Sequence, residues 1–451
     1  MSETVKENKM GTMPMNRLII NMSVPMMISM LVQALYNVVD SIFVAMIDEK
    51  ALTAVSMAFP VQSLIIAVAA GTGVGVNAVL SRSLGAKDMN KVDKTAENGL
   101  FLAIISYVAF LMIGLFAVIP FYRSQTDDTG IISYGTQYLT IVCIFSFGVF
   151  IQIMFERLLQ STGKTMYTMC TQALGAVINT ILDPMMIFGI GPFPKMGASG
   201  AAAATVIGQI TAAVLGFVFN MTKNKELHIS VKGFRPDIRM IKEIYGIGIP
   251  SMVMQAIGSV MVYGINRILF VFGSTAVAVF GVYFKLQSFV FMPVFGLNNG
   301  MIPILAFNYG ANKRERFMHG VKLSVIYAVV IMAAGTVAFQ FLSGSMLKMF
   351  SASDEMLRIG VPALRIISTS FVLAAIGISC STVFQAVGKA VYSMIVSIAR
   401  QIVVLLPAAF ILARTGNVNS VWFAFPIAEV VSMIVSILFF IKIKREIIDK
   451  I

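Results

Sequence analysis

The sequence predicts an all-α integral membrane protein, with twelve transmembrane helices in two parallel six-helix lobes related by a pseudo-two-fold axis along the membrane normal. Three observations predict it. Of 451 residues, 58% are hydrophobic and 12% charged, about half the charge of an ordinary soluble domain, and mean hydropathy is +0.86. Apolar stretches long enough to cross a bilayer core of about 30 Å recur along the whole chain. A shift of 225 residues lays the second half on the first. Such a composition excludes a disordered chain, a secreted disulfide scaffold and most soluble enzymes.

Residues 1–17 form a polar tail, expected in the cytoplasm. The first lobe, 18–222, holds spans near 18–46, 51–81, 95–122, 133–160, 165–190 and 197–222. A polar linker, 223–241, leads to the second lobe, 242–442, with spans near 242–272, 274–308, 317–342, 355–386, 389–413 and 417–442. Residues 443–451 are a second cytoplasmic tail. Breakers separate the spans, among them Gly85-Ala86-Lys87-Asp88, Ser161-Thr162-Gly163-Lys164 and Tyr309-Gly310-Ala311-Asn312. Several spans exceed the length a bilayer needs, so tilt or extension beyond the lipid is expected.

The net charge of +13 could suggest nucleic acid, but its distribution argues otherwise. With the amino terminus inside, 24 of the 34 Lys and Arg residues fall on cytoplasmic ends and loops and seven outside. That asymmetry fits the positive-inside rule for a multi-pass membrane protein with both termini in the cytoplasm. No nucleic-acid partner is expected. Residues 1–16 lack an apolar core, so no cleavable signal peptide is expected. Cys143, Cys170 and Cys380 stand alone, and His228 and His319 lie far apart in polar connections, which leaves no ligand set for zinc or haem and no redox pair.

The 225-residue shift superposes Pro25 on Pro250, Gly71 on Gly296, Gly75 on Gly300, Gly85-Ala86 on Gly310-Ala311, and Gly163-Lys164 on Gly388-Lys389. Six helices per half is an even number, so both halves enter the membrane in the same direction. A parallel repeat of this kind is a transporter architecture, with the pathway expected between the halves.

Ionisable groups inside spans are costly and usually functional. Asp40 and Asp183 lie at similar depth in the outer half of spans 1 and 5. Asn179 is one turn before Asp183 on the same helical face, and Thr205 in span 6 reaches that level. Two carboxylates, an amide and a hydroxyl make an oxygen-rich cluster suited to Na⁺ or to a shared proton. Two close carboxylates in low dielectric cannot both stay charged without a cation. At the shifted positions stand Ile265, Val404 and Ala408: the scaffold is duplicated and the acids are not, so ion coupling is expected in the first lobe alone. Glu156, near the inner end of span 4 beside Arg157, reads either as a substrate-attracting or proton-relaying group or as a local interfacial charge. Arg400 and Glu429, at equal depth on spans 11 and 12, suggest a structural ion pair. Lys285, mid-span, has no obvious acidic partner and is a candidate for lining a cavity.

Met (32) and Phe (34) are abundant, a flexible apolar lining suited to varied ligands but weak as evidence. Pro25, Pro184, Pro250 and other prolines within spans can mark bends. Gly71, Gly73 and Gly75 permit close helix packing and do not form a nucleotide loop. No ATP-hydrolysing motif, catalytic triad or cofactor site is visible, so energy is expected from an ion gradient and no enzyme activity or cofactor is expected.

The runs Tyr36-Asn37-Val38-Val39-Asp40, Ser83-Leu84-Gly85-Ala86, Asn179-Thr180-Ile181-Leu182-Asp183-Pro184 and Phe307-Asn308-Tyr309-Gly310-Ala311-Asn312 resemble the MATE (multidrug and toxic compound extrusion) transporters. The resemblance covers nearly the whole chain and is nearest to the bacterial branch with the MepA-like pumps. It implies a monomeric multidrug efflux antiporter that exports cationic amphipathic compounds in exchange for H⁺ or Na⁺. It also implies a cation site at Asp40, Asn179, Asp183 and Thr205, with Tyr36 and Tyr138 nearby. Some members carry an acid in span 7 where this chain has Gln255, so a second-lobe ion site is not implied here. Glu156 and Glu429 occupy family-like positions. Two rivals are weighed. A lipid-linked precursor flippase of a related two-lobe type calls for a cavity rich in Arg and Lys, and basic residues within these spans are few. A membrane-embedded enzyme finds no catalytic residue set.

Overall fold

Hydrocarbon offers the backbone no hydrogen-bond partners, so a chain this apolar satisfies its amides within helices. The computed structural model describes residues 8–230 and 233–451; the first seven residues of the tail and residues 231–232 of the linker lie outside the described residues. Every regular element among the described residues is helical. The first half runs α1 (Met15–Ala45), α2 (Glu49–Gly85), α3 (Met89–Phe116), α4 (Thr129–Ile144), α5 (Phe147–Ser161), α6 (Thr165–Phe188) and α7 (Ala198–Lys223). The second half repeats the pattern: α8 (Ile238–Leu269), α9 (Ser274–Gly310), α10 (Arg314–Lys348), α11 (Asp354–Ser368), α12 (Phe371–Ala386), α13 (Ala390–Ala413) and α14 (Ala424–Glu446). Among the described residues, ten helices are long and apolar enough to span a bilayer, and up to twelve spans result when each bent pair counts as one.

The bends refine the sequence expectation, which treats 133–160 and 355–386 as single spans. α4 meets α5 at 43° and α11 meets α12 at 47°. No proline sits at either break. Instead the Ser146 hydroxyl donates to the Cys143 carbonyl (2.8 Å) and the Ser370 hydroxyl to the Ile367 carbonyl (2.6 Å), local bonds that compete with the helical ladder. A second irregularity lies in α13, where Ala399–Leu405 widens to π geometry.

The chain forms two compact units. One is Ile28–Met252; the other joins the residues up to Met27 to Val253–Ile451. Both boundaries fall inside a helix, two residues beyond Pro25 in α1 and two beyond Pro250 in α8, and they are themselves 225 residues apart. Within the first unit the lower part of α8 lies on α2. A Cβ on Gly71 would come within 2.9 Å of Met252 N, and one on Gly75 within 2.3 Å of the Ile244 carbonyl oxygen. Within the second unit the start of α1 lies on α9 in the same way. A Cβ on Gly296 would meet Met27 Cα at 2.5 Å, and one on Gly300 the Ser23 Oγ at 2.6 Å. Four glycines at repeat-related positions thus let two pairs of helix backbones touch.

Turns repeat as well. Gly163 and Gly388 adopt φ of 87° and 81°, and Lys87 and Asn312 turn at φ 59° and 53°. Helix starts are capped by Asp88 on Lys91 N–H and by Ser353 on Met356 N–H. On the basic face, Arg82 and Lys91 (2.8 Å) both pair with Glu243, and Lys164 pairs with Glu226. At the opposite face Lys50 Nζ lies 2.9 Å from Asp128, and its ammonium holds the Asp128 carboxyl below the usual carboxylate value.

The glycine contacts set a testable expectation. Gly75→Ala and Gly300→Ala are each expected to destabilise the protein by about 1–3 kcal/mol, the usual cost of overpacking. Gly246→Ala, where nothing lies within 4 Å of the added carbon, is the control and leaves the midpoint unlowered or raises it, since alanine favours the helix by about 1 kcal/mol. Thermal unfolding in detergent reads both.

Candidate cation site

The upper part of α1 carries Tyr36 and Asp40 one turn apart, and α6 carries Asn179 and Asp183 one turn apart. All four lie in the first unit, with Thr205 on α7. Asp183 is fully buried, Asn179 nearly so and Asp40 half-buried. The Asp40 and Asp183 carboxyl groups lie within side-chain hydrogen-bonding reach of each other, a contact that needs a proton or a cation between them. Asp40 Oδ1 is shielded from solvent with no donor facing it. With the Asn179 amide assigned from its partners, its nitrogen donates to Asp183 Oδ2 (3.1 Å) and its oxygen accepts from the Thr205 hydroxyl (3.1 Å).

Pro184 adds to this set. It has no N–H, so the Thr180 carbonyl loses its helical donor one turn away. Tyr36 lies in the field of both acids, and Tyr138 in that of Asp40. Sequence reasoning missed Gln62, whose Nε2 donates to the Tyr138 hydroxyl (2.8 Å) and fixes that ring from α2. The 225-residue shift also lays Gln62 on Gln287, a scaffold signal that carries no hint of this contact.

The remaining sequence candidates are not gathered here. Glu156 lies on α5, buried, and accepts from Gln152, Thr171 and Gln172. In the second unit Arg400 Nη1 donates to Glu429 Oε1 (2.8 Å), with Arg400 inside the π segment of α13. Its counterpart in the first half is Gly175, so this pair belongs to one half only. Lys285 is exposed on α9, and no hydrogen bond or ion pair ties it among the described residues. Ile265, at the position matching Asp40, is buried. No group of three or more His, Cys, Asp or Glu gathers as a metal site among the described residues.

This arrangement can hold one small cation between oxygen atoms, or one proton between two carboxylates. The comparisons with known proteins agree with a transporter. A multidrug export protein MepA from Staphylococcus haemolyticus is 28% identical over 91% of this chain and 89% of its own length. A MepA protein from Staphylococcus aureus is 26% identical over 92% of this chain and 91% of its own. A solved structure described as the outward-facing conformation of a multidrug resistance MATE family transporter of the MOP superfamily superposes over the full length of both chains, with a TM-score of 0.93 at 26% identity. The sequence model of the MatE family matches twice, at residues 25–185 and 249–411, once in each half of the repeat. Covering well over half of the chain, that double match makes the protein a member of the MatE family of multi-pass membrane transporters.

Proposed function

We propose that the protein is a secondary antiporter of a bacterial plasma membrane, with both termini in the cytoplasm, acting as a monomer without a cofactor. It exports cationic amphipathic compounds in exchange for H⁺ or Na⁺. The observation that carries this reading is the meeting of Asp40 and Asp183 with Asn179 and Thr205 inside one unit. Nothing of the kind exists at Ile265, Val404 and Ala408 in the other. The names of the relatives, which describe multidrug export, support the substrate class.

The proposed cycle follows from charge. Facing outward, the acid pair takes a cation from outside, and its two negative charges fall to a net one. Loss of the repulsion changes which packing of the helices is favoured, with α1 able to bend near Pro25, where the proline removes one ladder bond. Cargo leaves outward and the ion continues inward. A ligand shifts such an equilibrium only by binding one state better than the other, and a site that needs a cation to pay for two buried carboxylates meets that condition.

Asp40→Asn and Asp183→Asn are each expected to reduce ethidium efflux from energised vesicles on the order of a hundredfold, a coupling free energy of about 3 kcal/mol. Undiminished transport by both variants would overturn the assignment. Imposed separately on proteoliposomes, a pH gradient and a Na⁺ gradient identify the ion: only the gradient of the coupling ion drives ethidium movement. Rescue of a flippase-deficient strain without any change in drug tolerance would point instead to lipid-linked precursors.

A further inference from the structure

Glu156 is 3% exposed and lies within the helices of the first unit. Gln152 Nε2 donates to its Oε1 at 2.9 Å, Gln172 Nε2 donates to its Oε2 at 2.7 Å, and the Thr171 hydroxyl lies 3.2 Å from Oε1. All three partners are uncharged. Arg157, its chain neighbour, is the charged group adjoining it among the described residues. Its Nη1 donates to Gln160 Oε1 (2.9 Å) and its stem lies against Gly73, and its charge acts on the carboxylate. From α6, Thr171 and Gln172 reach the carboxylate and Thr168 reaches the Glu156 backbone carbonyl. α7 reaches this turn through Asn220, which donates to the Phe155 carbonyl (3.0 Å).

Two features separate this carboxylate from a packing residue. The first is that both of its protonation states are satisfied. The Thr171 hydroxyl also lies 2.7 Å from the Thr168 carbonyl, and a hydroxyl has one hydrogen and two lone pairs. It can donate to an ionised Glu156, or donate to the Thr168 carbonyl and accept from a protonated Glu156. The amide hydrogens that ring the carboxylate would face a metal ion with the wrong charge, so the site suits a proton and excludes Na⁺. The second feature comes from the repeat. The Thr168 hydroxyl donates to the Glu156 backbone carbonyl (3.3 Å), and 225 residues on the Ser393 hydroxyl donates to the Ser381 carbonyl (3.1 Å). The link between α5 and α6 therefore recurs between α12 and α13. The carboxylate and its donors do not recur: Gly377, Val396 and Ser397 stand where Gln152, Thr171 and Gln172 would be. Packing alone does not require them.

The place of Glu156 gives it a task. Thr171, Gly175, Asn179 and Asp183 follow one another at four-residue steps, along one side of α6. At 1.5 Å per residue, Thr171 lies about 18 Å from Asp183 toward the basic face. Beyond it Thr168, Thr165, Thr162 and Ser161 continue a buried polar run to Lys164, at the start of α6.

We propose that Glu156 is a second proton-holding site in the first unit, through which a proton taken up at the Asp40–Asp183 pair passes to the cytoplasm. The inference rests on the reading of that pair as the coupling site. The carboxylate of Glu156 takes the proton released by the pair, becomes a neutral acid, and gives the proton to cytoplasmic water, which restores the carboxylate.

The test uses the full chain in proteoliposomes with a trapped pH-sensitive dye. Under an imposed pH gradient, Glu156→Gln is expected to bind ethidium like the parent and to slow proton delivery to the cytoplasmic compartment by about 100-fold, the scale of a lost general acid–base group. Its transport should lose most of its pH dependence, and Glu156→Asp should recover part of both. Proton delivery and a pH profile like the parent's in Glu156→Gln, with Asp183→Asn inactive, would overturn the inference and leave the coupling site standing. Transport by Asp183→Asn at the parent's rate would instead remove the coupling site. A Glu156→Gln protein that merely loses thermal stability, with no recovery in Glu156→Asp, would also overturn the inference, because only packing would have been lost.

Discussion

Moving a bare carboxylate out of water costs on the order of several kcal/mol even after the surroundings relax, so each acid among these helices is matched by a partner, and the partner decides what the acid can do. Glu429 has the Arg400 guanidinium at 2.8 Å. Glu156 has two amides and a hydroxyl and is satisfied in either protonation state. Asp40 and Asp183 have each other. Only that last pairing cannot rest without an external cation. The proposed coupling to a gradient rests on this one unmet need.

Duplication makes the assignment sharper. The two halves share their glycine contacts, their left-handed turns at Gly163 and Gly388, and their hydroxyl links between helices. These features build the scaffold and recur because the scaffold does. The acids break the symmetry. Ile265 is as well buried as any core residue, so the position matching Asp40 is filled by an apolar side chain at no structural cost. The facing pair of carboxylates stands in one half only, whereas the acid of the other half, Glu429, is matched by Arg400.

Much of this was legible in the sequence. Apolar length located the spans, and one unbroken offset exposed the repeat. The four-residue step from Asn179 to Asp183 placed both on one helical face before any neighbour was known. Other features depend on how a helix is rotated against its neighbours, which one-dimensional spacing does not encode. Gln62 reaches Tyr138 from a different helix, and Gln172 reaches Glu156 from the next. The bends after Ile144 and Ser368 arise from serine hydroxyls competing for backbone carbonyls, and a serine within an apolar run gives no warning of which choice it makes. The π segment around Arg400 is equally silent in the residue pattern.

The mid-helix boundaries have a consequence for biosynthesis. A ribosome makes the start of α1 first, yet the helices it packs against belong to Val253–Ile451. The Ile28–Met252 unit has all of its parts once Met252 has emerged. The oldest helical turns of the chain must therefore wait in the membrane, without the neighbour they lie against, until α9 has been inserted. Order of synthesis and order of assembly run in opposite directions for that segment, and a chain that stalls after its first half is left with an apolar half-helix that only the missing portion can cover.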